Sequence, residues 1–97
     1  MSLEDVFSDR TSTRILLLLA NNDVLTITQI ARATNASRMF CKKKLKKLMD
    51  LGLVKEKQAG RVRMYLLNLE NERAKLIKVF MEKWQGLRAD EEGRKSR

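Results

Sequence analysis

The sequence predicts a mainly α fold with one small β-hairpin, built as a single domain. Three observations carry this. Apolar residues recur at helical spacing over 38–51, where Cys41, Leu45 and Leu48 fall at i, i+4 and i+7, and over 69–87, where Leu76, Phe80 and Trp84 form an i, i+4 ladder. Two runs of alternating and β-branched residues, 53–58 and 61–68, are joined by Ala59-Gly60, a hairpin signal. A length of 97 residues, 43% hydrophobic and 34% charged, suits one small folded domain.

Taken in chain order, Leu3, Val6 and Phe7 have the spacing of a short first helix. Asp9, Thr11 and Ser12 offer N-caps for a second helix over 12–21, whose run Ile15-Leu16-Leu17-Leu18-Leu19 leaves it no polar side. Asn21-Asn22-Asp23 signals a turn, and Val24-Leu25-Thr26-Ile27 a short strand. Thr28 is placed to cap a helix through Thr34. Asn35-Ala36 breaks it, and Ser37 caps the fourth helix, over 38–51, which ends at Gly52 in a left-handed turn. After the hairpin the chain returns to helix up to Leu87. Residues 88–97 contain almost nothing apolar and read as a disordered charged tail. The domain is thus expected to span 1–87.

Composition excludes whole classes of chemistry. There is no His, so no Ser-His or Cys-His pair and no His-ligated metal site can form. The single Cys41 permits no internal disulfide and no multi-cysteine zinc site, and its place on the apolar stripe makes it a core residue. No acid/base pair, activated nucleophile or phosphate loop is recognisable, so no enzyme and no cofactor are expected. The apolar run ending at Ala20 is far shorter than the ~20 residues of a membrane span, and the N-terminus carries acids where a targeting signal carries positive charge. The expected location is the cytoplasm, on the nucleoid.

Charge points to the partner. The chain carries 21 Lys and Arg against 12 Asp and Glu, net +9. Residues 1–36 are net −1, residues 37–65 net +8, and residues 66–97 net +2. With Cys41, Leu45 and Leu48 turned inward, the helix over 38–51 shows Met39, Lys42, Lys43 and Lys46 outward, flanked by Arg38, Lys44 and Lys47. A solvated face normally mixes Lys with Glu, because like charges at i, i+4 repel by ~0.2–0.5 kcal/mol per pair. Six cations within 38–47, and no acid before Asp50, call for an outside polyanion, and nucleic acid fits better than a membrane surface. Ser37 and Arg38 stand at the helix start. Thr28, Gln29 and Asn35 can add phosphate or base-edge bonds. Lys57, Arg61 and Arg63 extend the positive surface onto the hairpin, with Arg61 suited to a minor groove. The last helix offers Leu76, Ile77, Phe80, Met81, Trp84 and Leu87, more than a core this small can cover, so a homodimer through that stripe is expected, aided by Leu16 on the second helix.

The order helix, helix, turn, helix, hairpin resembles a winged helix-turn-helix domain, and the sequence is similar to the ArsR/MarR-like group of transcriptional regulators over residues 6–68. The resemblance rests on Thr13-Arg14-Ile15-Leu16-Leu17-Leu18-Leu19, on Ile30-Ala31, and on Leu45-Lys46-Lys47-Leu48-Met49-Asp50-Leu51-Gly52-Leu53-Val54 followed by a charged hairpin with Gly60-Arg61 near its tip. It implies a winged helix-turn-helix with an added C-terminal dimerisation helix that binds double-stranded DNA as a homodimer. Helix 37–51 would enter the major groove, and the wing 53–68 would lie on the adjacent minor groove or backbone. Metal-sensing members of that group carry paired Cys, or His with acids. Cys41 alone does not match, so metal sensing is not carried over; MarR-type members form a ligand pocket with longer terminal helices than these 97 residues offer, so no small-molecule effector is expected either. A transcriptional repressor is the leading expectation. An architectural or plasmid/chromosome partition protein that coats or marks DNA is the alternative, and a protein-binding winged helix stands third.

Overall fold

The computed structural model describes residues 1–95, with side chains described through residue 91. The elements are α1 (Leu3–Val6), α2 (Arg10–Asn21), β1 (Leu25–Thr26), α3 (Ile27–Thr34), α4 (Arg38–Asp50), β2 (Val54–Ala59), β3 (Val62–Leu67) and α5 (Glu72–Lys95). The three strands form one antiparallel sheet in the order β1-β3-β2. Leu25 pairs with Tyr65, and β2 pairs with β3 from Val54–Leu67 to Ala59–Val62. The expected mainly helical class with a small hairpin is what the chain adopts, with β1 added to the edge of the wing.

Each helix starts where a short polar side chain can satisfy free backbone N–H groups. Asp9 caps α2. Its carboxylate accepts from the Ser12 N–H at 2.7 Å and from the Ser12 hydroxyl at 2.8 Å, and that hydroxyl is fully buried. The cap of α3 is Thr26, not Thr28: Thr26 Oγ1 accepts from the Gln29 N–H, while Gln29 Oε1 accepts from the Thr26 N–H. This reciprocal box needs Gln three residues after Thr, which only Thr26 provides. Asn35, at φ 54°, closes α3 in the left-handed conformation that Asn tolerates better than most residues. Ser37 then caps α4 by accepting from the Phe40 N–H.

One core joins the helices to the sheet. Ile15, Leu16 and Leu19 of α2, Ile30 of α3, and Cys41, Leu45 and Leu48 of α4 are buried together with Leu53, Val54, Tyr65 and Leu67 of the wing. α5 adds Ala74, Ile77 and Met81, lying along α2. Past Met81 no described α5 residue is buried, so the helix over residues 82–91 stands clear of the core. The helix also continues beyond Leu87 through Lys95, where the sequence reads as tail. Residues 88–95 include Arg, Ala, Glu and Lys, all good helix formers that can prolong a helix already nucleated by packing. Residues 96–97 of the expected tail lie outside the described residues.

The α4–wing junction is tightly defined. The Gly52 N–H donates to Met49 O and the Leu53 N–H to Leu48 O, the paired bonds of a Schellman ending. Gly52 has φ +79°, and its carbonyl accepts from both Asn68 and Asn71 side-chain amides. At the other end of the hairpin the two-residue loop is Gly60-Arg61, one residue later than the expected Ala59-Gly60, because Ala59 still pairs with Val62. Gly60, at φ +62°, supplies the positive φ that a type II′ loop asks of its first residue.

Asp9 also ties α2 to α4. Its Oδ2 lies 3.5 Å from Lys44 Nζ and 3.2 Å from Lys47 Nζ, and Lys47 Nζ donates to Ser8 Oγ as well. Burial by itself pushes the Asp9 carboxyl up. The two Ser12 hydrogen bonds, then Lys47 and Lys44, outweigh it and hold the group at about 2.

Two expectations follow for stability. A Cβ at Gly52 would sit 3.0 Å from Asn71 Nδ2 in a left-handed backbone, whereas one at Gly60 meets nothing within 4 Å. Gly60→Ala should therefore cost only the backbone term, about 1–2 kcal/mol, and Gly52→Ala about 1 kcal/mol more through the displaced amide, measured by urea unfolding. Because Asp9 is depressed in the folded state, its contribution is present above pH ~4 and lost as pH falls toward 2. Wild type should lose about 1–2 kcal/mol more than Asp9→Asn between pH 5 and pH 2, and equal losses would contradict the pairing.

Candidate nucleic-acid interface

Helix α4 is divided into three stripes. Its inner stripe, Cys41, Leu45 and Leu48, has no exposure at all. Cys41 Sγ rests 3.3 Å from Thr34 Oγ1 on α3. Its flank carries Phe40, Lys44 and Lys47: Lys44 Nζ sits 5.1 Å above the Phe40 ring, and both lysines are drawn to Asp9. Its outer stripe presents Arg38, Met39, Lys42, Lys43 and Lys46, all exposed. Lys46 reaches Asp50 at 3.5 Å, an exposed i, i+4 pair of little energetic weight. Among the described residues Arg38, Lys42 and Lys43 form no ion pair.

The sequence-predicted residues therefore separate. Arg38, Met39, Lys42, Lys43 and Lys46 share one open face, with Ser37 exposed at its N-terminal end. Lys47 belongs to the flank and is engaged by Asp9 and Ser8. Gln29 is exposed, but its side-chain oxygen is committed to the α3 cap, and Thr28 is only half exposed beside it. On the wing, Lys57 and Arg61 are exposed, with Arg61 in the loop itself. Arg63 lies 3.5 Å from Glu56 on the neighbouring strand, so part of its charge is met within the sheet. The pairing of Asp9 with Lys44 and Lys47 has no local signal, since more than 30 residues separate the partners.

The residues assigned to a subunit contact separate too. Leu16 is fully buried in the chain's own core, and Ile77 and Met81 face α2, so these three offer no surface to a partner. Leu16 lies in the one core cluster that α2 shares with α4, α5 and the wing. Leu76, Phe80, Trp84 and Leu87 point the other way and are 71%, 59%, 61% and 63% exposed, joined by Val79. Phe80 and Trp84 pack ring against ring at 5.9 Å. Among the described residues no helix is long and apolar enough to cross a membrane, and no cluster of acids and Cys has the makings of a metal site.

Residues 8–55 match the winged helix-turn-helix DNA-binding family, a span running from the α2 cap into the first wing strand. Among solved structures, the adhesin competence repressor AdcR from Streptococcus pyogenes is 26% identical and superposes with a TM-score of 0.73, covering 96% of this chain and 67% of its own. ZitR from Lactococcus lactis, in a structure in complex with DNA, is 29% identical with a TM-score of 0.66, covering 98% of this chain and 66% of its own. Reduced HlyU from Vibrio cholerae shares the fold, with a TM-score of 0.72 at 20% identity over 88% of this chain and 83% of its own. The chain spans 60–70% of the lengths of the AdcR and ZitR chains. No protein of curated function matches it by sequence. With its capped helices, its cationic third helix of the domain and its three-stranded wing, the chain belongs over residues 8–55 to the winged helix-turn-helix DNA-binding family.

Proposed function

We propose that this chain is a transcriptional regulator, acting as a repressor that occludes its site on double-stranded DNA as a homodimer. The outer stripe of α4 carries the reading: Arg38, Lys42, Lys43 and Lys46 project into solvent from a helix whose opposite side is locked in the core. A helix of this width fits the major groove of B-form DNA, with its N-terminal residues nearest the bases. Ser37 and Arg38 then lead, the lysines meet phosphates along the groove walls, and Lys57, Arg61 and Arg63 bring the wing to the adjacent minor groove or backbone. The names of two neighbours support this reading, one a repressor and one held on DNA.

The homodimer is proposed through the outer face of α5, Leu76, Phe80, Trp84 and Leu87, without Leu16, Ile77 or Met81. An aromatic pair exposed on a helix that stands clear of its own core is costly to leave in water. Symmetric pairing through it would set two α4 helices on one side of a duplex, ~34 Å apart for successive major grooves. No effector and no cofactor enter this mechanism.

The lysine dominance of α4 favours a second reading, a partition or architectural protein that coats DNA, because lysine binds phosphate without selecting bases. Footprinting separates the two: one short protected site supports a regulator, and spreading protection supports a coat.

Replacing Lys42, Lys43 and Lys46 together by Gln should weaken duplex binding at least about tenfold near 0.1 M salt and flatten the log–log salt slope by about 2–3 per subunit. An unchanged slope would sink the interface. Trp84→Glu should convert the free protein to monomer in equilibrium sedimentation while leaving its thermal unfolding nearly unchanged, since Trp84 lies outside the core. A wild-type protein that is already monomeric would refute the α5 contact.

A further inference from the structure

We infer that Met39 reads the 5-methyl group of thymine, so that α4 favours A·T-containing sites by apolar contact rather than by hydrogen bonds. This rests on the proposed docking of α4 in the major groove and adds to it the class of base recognised.

Two observations on α4 point there. Met39 is 82% exposed, more than any other large apolar residue described, and it sits in the first turn, the part of a recognition helix that approaches base edges. It shares its stripe with Lys42, Lys43 and Lys46, so a duplex neutralising those cations would bury Met39 against the bases. The second observation is what α4 lacks. From Arg38 to Met49 it contains no Asn, Gln, Asp or Glu. Adenine is read by the paired donor and acceptor of Asn or Gln, and cytosine by a carboxylate. Arg and Lys only donate, which suits guanine or phosphate. Of the four bases, the one that an apolar side chain can distinguish is thymine, by its methyl group. The unbranched, polarisable thioether of Met can follow that group along the groove floor without a demanding fit. Phe40, the other apolar residue of this turn, is turned toward Lys44 and the flank.

The experiment compares an alternating adenine–thymine duplex about three turns long with the same duplex carrying deoxyuridine for thymidine. That exchange removes the methyl and keeps every hydrogen-bonding group. Wild type should bind the thymidine duplex about fourfold more tightly for each methyl buried per subunit. Met39→Ala should bind the two duplexes alike, and Met39→Leu, still apolar, should keep most of the preference. Thermal unfolding of both variants should match wild type, because Met39 supports no core. Equal wild-type affinity for the two duplexes, with the salt slope still steep, would overturn the role of Met39 and leave the DNA interface standing. A preference that persists in Met39→Ala would also overturn it. Absence of binding to either duplex would overturn the interface and this inference together.

Discussion

The burial of one side of α4 is the constraint on which the rest of the molecule depends. Leu45 and Leu48 are fully sequestered against α2, α3 and the wing, and each such side chain contributes roughly 1.5–3 kcal/mol. The same helix bears three like-charge pairs at i, i+4, Arg38–Lys42, Lys42–Lys46 and Lys43–Lys47, which together cost only about 0.6–1.5 kcal/mol. Burial wins by a clear margin. The helix therefore folds with Arg38, Lys42 and Lys43 on the far side, unpaired among the described residues, and its rotation about its own axis is set by the core rather than by any ligand.

Asp9 sets the direction in which those cations act. By capping α2 and reaching Lys44 and Lys47, it converts a ring of positive charge around α4 into one open stripe and one internally satisfied flank. The division is geometric as well as electrostatic. Lys44 and Lys47 are held toward α2, which leaves Arg38, Lys42, Lys43 and Lys46 as the exposed cationic surface, the one that meets DNA in the proposed docking. Ser12, buried and bonded to the same carboxylate, keeps Asp9 from swinging away.

Much of this is legible in the sequence where the cause is local. The period of Cys41, Leu45 and Leu48, the Gly at position 52 and the N-cap at Ser37 each act within a turn of helix, and each lies where the local pattern puts it. The displaced features have causes of longer range or finer choice. Thr26 displaces Thr28 as a cap because Gln29 completes a reciprocal box. The hairpin loop slides to Gly60-Arg61 because the register from Val54–Leu67 carries pairing one residue further. The stripe on α5 shows the hardest limit. Ile77 and Met81 cannot be told from Leu76 and Phe80 by hydrophobicity; only the contact with α2 assigns the first two inward. Leu16 is similar: a run of five apolar residues has no polar side to give its orientation away.

The chemistry of the exposed stripe also separates holding DNA from choosing a sequence. Lysines supply a sequence-independent attraction that disappears steeply with salt, and they would serve a coat as well as a repressor. Discrimination has to come from the few side chains that are not lysine, Ser37, Arg38 and Met39 at the start of α4 and Arg61 at the wing tip, which in the proposed docking would lie over the major groove and beside the minor one respectively. Each good base contact contributes only about 1–3 kcal/mol, too little for one domain to single out a site among the many competing sites of a genome. Doubling those contacts across a symmetric pair roughly doubles that energy while each half-site keeps its modest preference. The apolar face of α5 and the sparse base-reading set of α4 thus make joint sense in the proposed dimer. A surface that reads weakly needs a second copy at fixed spacing, and a helix that stands clear of its own core is suited to supply it.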